Sequence, residues 1–412
     1  MSLIRVENFL FFLTILLIPT QLGKHSWPKF SYVYSLPIDY LSLIIYFWDL
    51  LVVLLLVTYL LRQGLVSKLA LNLLFIFLLA QGISLLLSFF SYPLNLGAGL
   101  TRLEQYFIIG LFGVYIASQD FKEMTKKIFW PLIIAVFFES FLGVLQFIKD
   151  GTIGLWILGE RTFTISTPAI AKFDLLGVQF LRPYATFPHP NTLAAFMVLV
   201  LPLLLLSKFR DRAQSLGLVV ALIWGGIVVL LTVSRVVLIV GLVELLFLIR
   251  SKWLIFIVIV LLALSPAIYI RYESLLSFDE LSFLRRDNLQ EVSWVIFLSH
   301  PIFGVGLNNF IPFSADSFLV GPSRFLQPVH NIYLLLLSET GILGLLGFLV
   351  MLGYPIFKLA KLPIASYYLL LLWESIIFLG FFDHYFLTQP QGIRLLFLIW
   401  GLTVALISTK IS

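Results

Sequence analysis

Near the C-terminal quarter the chain reads "QPVHNIYLLLLSETGILGLLGFL", placing His330 and Asn331 at the mouth of an otherwise apolar run. A neutral imidazole is the usual general base for a hydroxyl near neutral pH. The asparagine either caps the helix that starts there or bonds a sugar hydroxyl, and capping is the simpler assignment. Arginines recur in three other places: Arg182 in "LRPYATFPHPNTLAAFM", Arg235 in "LTVSRVVLIVG", and Arg285 with Arg286 in a polar stretch further on. A guanidinium forks onto phosphoryl oxygens, keeps its charge and tolerates partial burial better than an ammonium. Base plus guanidinium cluster is the equipment for attack by a hydroxyl with a phosphate or diphosphate departing. Asp383, His384 and Tyr385 form a third polar group, placed to bind a substrate or to anchor an interface.

These residues need a frame. The chain has 412 residues, 60% hydrophobic and only 12% charged, where a soluble domain carries about 25% charged. No globular core of this length hides so much apolar side chain, so the solvent must be lipid. The 40 Phe and 9 Trp suit a lipid-facing and interfacial surface, and zero Cys removes disulfides and thiolate metal sites. The formal charge of +6 is an orientation bias, since no basic stripe interleaved with aromatics points to nucleic acid.

Twelve apolar runs qualify as spans: roughly 8–20, 40–61, 69–90, 104–118, 128–148, 191–207, 216–232, 236–250, 253–270, 331–357, 364–382 and 392–408. With the N-terminus cytoplasmic, the inner loops and tails hold fourteen Lys and Arg. These include Arg5, Arg62, Lys68, Lys122, Lys126, Lys127, Lys358 and Lys410. The short outer loops hold five: Lys24, Lys29, Arg102, Arg235 and Arg394. That asymmetry predicts twelve spans with both termini inside. The first run lacks a small-residue cleavage site and reads as a retained span. Segments 149–190 and 271–330 then lie outside as long loops, a length that in compact proteins goes with function. Arg182, Arg235, Arg285, Arg286 and His330 all fall at that outer face. Gly341 and Gly344 are expected to let helices approach closely.

The spacing resembles a family. "HNIYLLLLSETGILG" is similar to the signature of the O-antigen ligase and polymerase superfamily of bacterial membranes, as are "ATFPHPNTLAAFM", "TVSRVVLIVGL", the stretch from Arg286 to "PIFGVGLNNF", and "FFDHYFLTQPQGIRLLFLIWGL". The resemblance covers roughly residues 180–405, leaving 1–148 as an N-terminal set of five helices and 149–412 as the ligase-like core. It implies an all-α integral membrane fold of the GT-C-like kind, working at the outer surface of the inner membrane. The donor would be an undecaprenyl-diphosphate-linked glycan, and the acceptor a glycan, a lipid A core or a protein. Arg182, Arg235 and Arg286 would neutralise the diphosphate, and His330 would deprotonate the acceptor. Arg285, His189, Asn191, Asn331, Asp383, His384 and Tyr385 would bind substrate. No cofactor is implied. No Asp-x-Asp occurs, and the acids and histidines show no metal-ligand spacing. Leu345 and Leu346 follow the two glycines where the family often has small or hydroxylated residues, which leaves ligase against polymerase open. From another class, a twelve-span secondary transporter would make Glu139, Glu244, Glu339 and Glu374 its working residues. The chain shows no repeated halves of the kind such carriers have.

Overall fold

The computed structural model describes residues 2–90, 95–175, 177–207, 211–248, 280–318, 326–362 and 367–411. The predicted span 253–270 lies outside these residues, as do Lys208, Arg210, Arg250 and Lys252. Twelve longer helices are described: α1 (Leu3–Leu16), α2 (Phe47–Leu61), α3 (Lys68–Phe89), α4 (Leu96–Ala117), α5 (Phe121–Lys149), α6 (Pro190–Leu205), α7 (Arg212–Thr232), α8 (Arg235–Leu248), α9 (Glu280–Ser299), α10 (Ile332–Leu359), α11 (Tyr367–Gly380) and α12 (Pro390–Ile411). Among the described residues, α3, α5, α7, α10 and α12 are long and apolar enough to cross a membrane. The helices α2, α6 and α11 are apolar but shorter. This is an all-α membrane protein. Leucine, phenylalanine and isoleucine remain exposed along the helix flanks, for example Phe75, Leu86, Ile223 and Phe357, as a lipid solvent requires.

Each predicted run inside the described residues overlaps a helix; 8–20 runs past α1, which ends at Leu16, and the front of 40–61 is not helical. There Leu43–Tyr46 pairs antiparallel with Gly23–Ser26, from Gly23↔Tyr46 to Ser26↔Leu43. The isoleucine pair favours a strand, and the helix waits for its cap. Tyr46 occupies that position, and its backbone N–H donates to Asp49 Oδ2 over 3.0 Å. Residues 17–46 therefore form a compact cap, with a second small pairing of Tyr32–Val33 on Leu36–Pro37.

The ends of the helices sort into two groups. At one end Arg62, after α2, pairs with Glu7 of α1, Tyr115 of α4 donates to the same carboxylate over 3.0 Å, and Lys127 of α5 reaches Asn8. The opposite end carries the cap and the hairpin Lys172–Leu175 with Val178–Leu181. It also carries the starts of α6, α8 and α10 and the turn after α11. The core α12 packs on α4, α10 and α5, with Ile393, Leu398, Trp400 and Val404 fully enclosed.

Helix α10 is not continuous. Gly341 adopts φ 62° and ψ −164°, a region essentially reserved for glycine. The turn Pro301–Gly306 is spliced into the break: Val305 N donates to Ser338 O (3.0 Å), Gly306 N to Glu339 O (2.7 Å) and Ile342 N to Pro301 O (2.9 Å). A Cβ on Gly341 would lie 2.3 Å from Ile302 O, and one on Gly304 2.4 Å from the Glu339 carbonyl carbon. The close contact at Gly341 is thus with a loop rather than a second helix. Gly344 does meet a neighbouring helix, through its carbonyl accepting from Gln81 Nε2 of α3 over 3.0 Å.

Candidate functional site

Arg182 leaves the second hairpin strand and points at the ends of two helices. Its Nε donates to Thr232 O at the end of α7 over 2.5 Å, and its terminal amine to Asn191 Oδ1 over 2.7 Å. Asn191 stands in the first turn of α6, which begins with Pro190, the favoured residue there, under a His189 cap whose Nδ1 accepts from Asn191 N at 3.1 Å. The same Asn191 donates Nδ2 to Asp383 Oδ2 over 3.2 Å. Asp383 Oδ1 accepts from the His384 backbone N–H at 2.8 Å and lies 3.5 Å from His330 Nδ1. The His330 and His384 rings sit 4.9 Å apart, and the edge of Tyr40 meets His384 at 5.5 Å. One chain of contacts so joins residues 182, 191, 383, 330 and 384.

Charge extends the cluster. Burial draws the Arg182 guanidinium down to about 10, and the like charges of Arg286 and Arg235 add to the effect. Arg286 also acts on His189, which burial first and then Arg182 hold down at about 3. His384, lowered chiefly by burial, is likewise near 3. Both rings are neutral at any working pH. Burial alone would raise Asp383, yet the adjacent His330 imidazole holds its carboxyl well below the ordinary carboxylate range. Three guanidiniums near one another are a standing repulsion that a dianionic group relieves.

The predicted residues divide accordingly. Arg182, Arg235, Arg286, His189, Asn191, His330, Asp383 and His384 come together. Arg285 adjoins Arg286 on α9, where successive residues diverge by about 100°, so the two side chains do not share a face. Asn331 caps α10, its Oδ1 accepting from Tyr333 N (2.9 Å) and Leu334 N (3.0 Å). Tyr385 is packed inward at 2% exposure, its ring against Phe386. Of the four intramembrane acids, Glu139 accepts from the Thr186 hydroxyl (2.8 Å), Glu244 from the Ser375 hydroxyl (2.7 Å) and Glu339 from Phe310 N (3.3 Å), while Glu374 is exposed. Those partners give three of them a local structural role.

One ligand atom each from His330, Asp383 and His384 lies within 4.8 Å of the others, a donor set that suits a divalent ion. Sequence spacing did not disclose this trio. The arginines beside it oppose a cation on electrostatic grounds.

Sequence reasoning also missed a cavity of about 500 Å³ between the N-terminal cap and the start of α12, lined among others by Trp27, Tyr40, Arg102, Gln389 and Gln391. The signal was available: "GKHSWPKFSYVYSLPIDY" is aromatic and polar between two apolar runs, and "TQPQG" sets two glutamines at a helix start.

An imidazole, a carboxylate and several guanidiniums are thus gathered at one end of an all-α membrane frame. Residues 216–349 match the family model described as O-antigen ligase, and this match supports the O-antigen ligase and polymerase family for the chain. The matched region contains Arg235, Arg285, Arg286, His330 and the break in α10 at Gly341. Arg182, His189, Asn191 and Asp383 lie beyond it. No curated protein matches the chain.

Proposed function

We propose that the protein is a metal-independent, inverting membrane glycosyltransferase of the ligase type. It would move a finished glycan from an undecaprenyl-diphosphate donor to an acceptor hydroxyl on a glycan, lipid A core or protein. The observation that carries this reading is the meeting of Arg182, Arg235 and Arg286 with the His330–Asp383 pair. In the reaction the acceptor oxygen attacks the anomeric carbon, the bond from that carbon to the diphosphate oxygen breaks, and the electron pair leaves on the diphosphate. The three guanidiniums face the developing charge. The Asp383 carboxylate, 3.5 Å from His330 Nδ1, favours the tautomer that leaves Nε2 to take the acceptor proton. Asn191 links the two halves, bonding Arg182 with its oxygen and Asp383 with its nitrogen. His189 and His384, held neutral, add no positive charge that would compete for the leaving group.

The distribution of Lys and Arg supports cytoplasmic termini and an extracytoplasmic site in a bacterial inner membrane. The test is transfer by purified protein, in a chelator, from a synthetic polyprenyl-diphosphate oligosaccharide to lipid A core or to a second donor glycan. Product on the core marks a ligase, and a lengthened lipid-linked chain marks a polymerase. Full turnover in both His330→Ala and Arg286→Ala defeats the assigned chemistry.

A further inference from the structure

None of Arg182, Arg235, Arg286 and His330 lines the cavity of about 500 Å³, yet its volume is that of an ordinary small-ligand site, about 300–1,000 Å³. Gln391, in the first turn of α12, lines it and is 1% exposed. Among the described residues neither Nε2 nor Oε1 of this amide has a hydrogen-bond partner. A buried carboxamide with both atoms unpaired is strongly unfavourable. It is satisfied by a group that gives and takes at one point, as a hydroxyl does. The charged side chains around the cavity are balanced, Arg102 and Arg161 against Asp39 and Glu160. That mixture is wrong for a bare anion and right for a neutral polyhydroxylated ligand. Trp27, stacked on His25 at 5.9 Å, and Trp156 supply exposed aromatic faces at the same cavity, the surface on which the C–H face of a sugar ring lies.

The position is equally specific. Thr388, in the wall, bonds its hydroxyl to His384 Nδ1, and Gln389 accepts from the Thr192 hydroxyl of α6. Tyr40, another wall residue, touches the His384 ring. The stretch 383–391 thus serves the imidazole–carboxylate pair at its front and the cavity at its back. Arg102 clamps it from α4 by donating to Leu387 O (3.1 Å) and Thr388 O (2.9 Å).

We propose that this cavity is a carbohydrate subsite, holding neutral sugar rings of a glycan beside the reacting centre through Gln391 and the Trp27 and Trp156 faces. That the bound rings belong to a reacting glycan rests on the transferase reading; that the cavity binds saccharide does not. The test uses the full chain in nanodiscs with a panel of neutral hexose and deoxyhexose di- and trisaccharides that carry neither lipid nor phosphate. Saturation-transfer NMR and tryptophan fluorescence read the binding. Saturable binding is expected, weakened about tenfold by Gln391→Leu and by Trp27→Ala, about 1.4 kcal/mol each, and unchanged in Arg286→Ala. Trp27 lies in the exposed cap, so its variant keeps the test valid if Gln391→Leu folds poorly. In the transfer assay the bound saccharide raises KM for the acceptor if the rings are the acceptor's, and for the donor if they are the donor's. A panel without saturation transfer, or binding equal to the parent in Trp27→Ala and in folded Gln391→Leu, overturns the subsite. Binding without transfer to any acceptor keeps the subsite and removes the transferase reading; transfer without binding does the reverse.

Discussion

Replacing Asp383 by Asn keeps the shape of the side chain and removes the charge that faces His330. The oxygen lies 3.5 Å from Nδ1, with the two side chains 12% and 17% exposed. For unit charges at that distance the attraction is about 1 kcal/mol in water and about 5 kcal/mol at an effective dielectric of 20. Partial exposure sets the true value between these limits. The carboxylate acts on the imidazolium that forms as the acceptor proton moves, so the loss falls on the barrier, at about tenfold per 1.4 kcal/mol. The expected result is a kcat lowered about 100-fold with KM for the donor nearly unchanged, because the arginines still hold the diphosphate. The carboxyl is already held well below the ordinary range, so the parent enzyme shows no acid limb from this group above pH 4. The assay is single-turnover transfer from a lipid-diphosphate glycan, followed by mass spectrometry, with size-exclusion chromatography to confirm folding. A folded Asp383→Asn protein with parental kcat and pH profile would refute the pairing as a catalytic device.

Other outcomes follow from the same geometry. Arg235→Ala and Arg286→Ala should each lower turnover about 10²–10³-fold, the usual loss for one group facing developing charge, measured with donor in excess. Gly341→Ala should destabilise by at least about 1–3 kcal/mol from its backbone angles alone, seen as a lower melting temperature in detergent. His189 and His384 sit near 3 in the fold against about 6.5 in the unfolded chain. Between those values the unfolded state binds more protons, so stability falls as pH drops from about 6.5, by up to about 1.4 kcal/mol per pH unit for each ring. Thermal melts from pH 7 to 4 should show that slope, and His384→Gln should lessen it. Treatment with EDTA should leave transfer intact; its loss, restored by a divalent ion, would assign the His330, Asp383 and His384 trio to a metal.

Hydropathy alone located the apolar helices because burial in lipid needs a continuous run and little else. It overran at residues 40–46, where the decision belongs to a strand partner twenty residues upstream that no local window contains. The site's arginines and histidine were legible as residue types that a membrane helix end tolerates only with a partner. Which partner was not legible: Asp383 and His330 are 53 positions apart and meet only through the packing of α11 on α6 and α10. Arg285 and Arg286 look equivalent as letters, and only a helical phase separates them. Gly341 could be read as small but not as broken, since the turn that replaces its hydrogen bonds comes from some forty residues earlier.

The break in α10 has a consequence for how the enzyme can vary. The nine residues Ile332–Thr340 carry the imidazole's footing, and Ser338 O and Glu339 O fasten them sideways to the turn Pro301–Gly306. An added residue below Gly341 would rotate everything beneath it by about 100° and so move Gly344 off Gln81 of α3 and Met351 off Trp400 of α12. The register of the stem is therefore fixed by α3 and α12, while the footing of the imidazole is held separately by the splice.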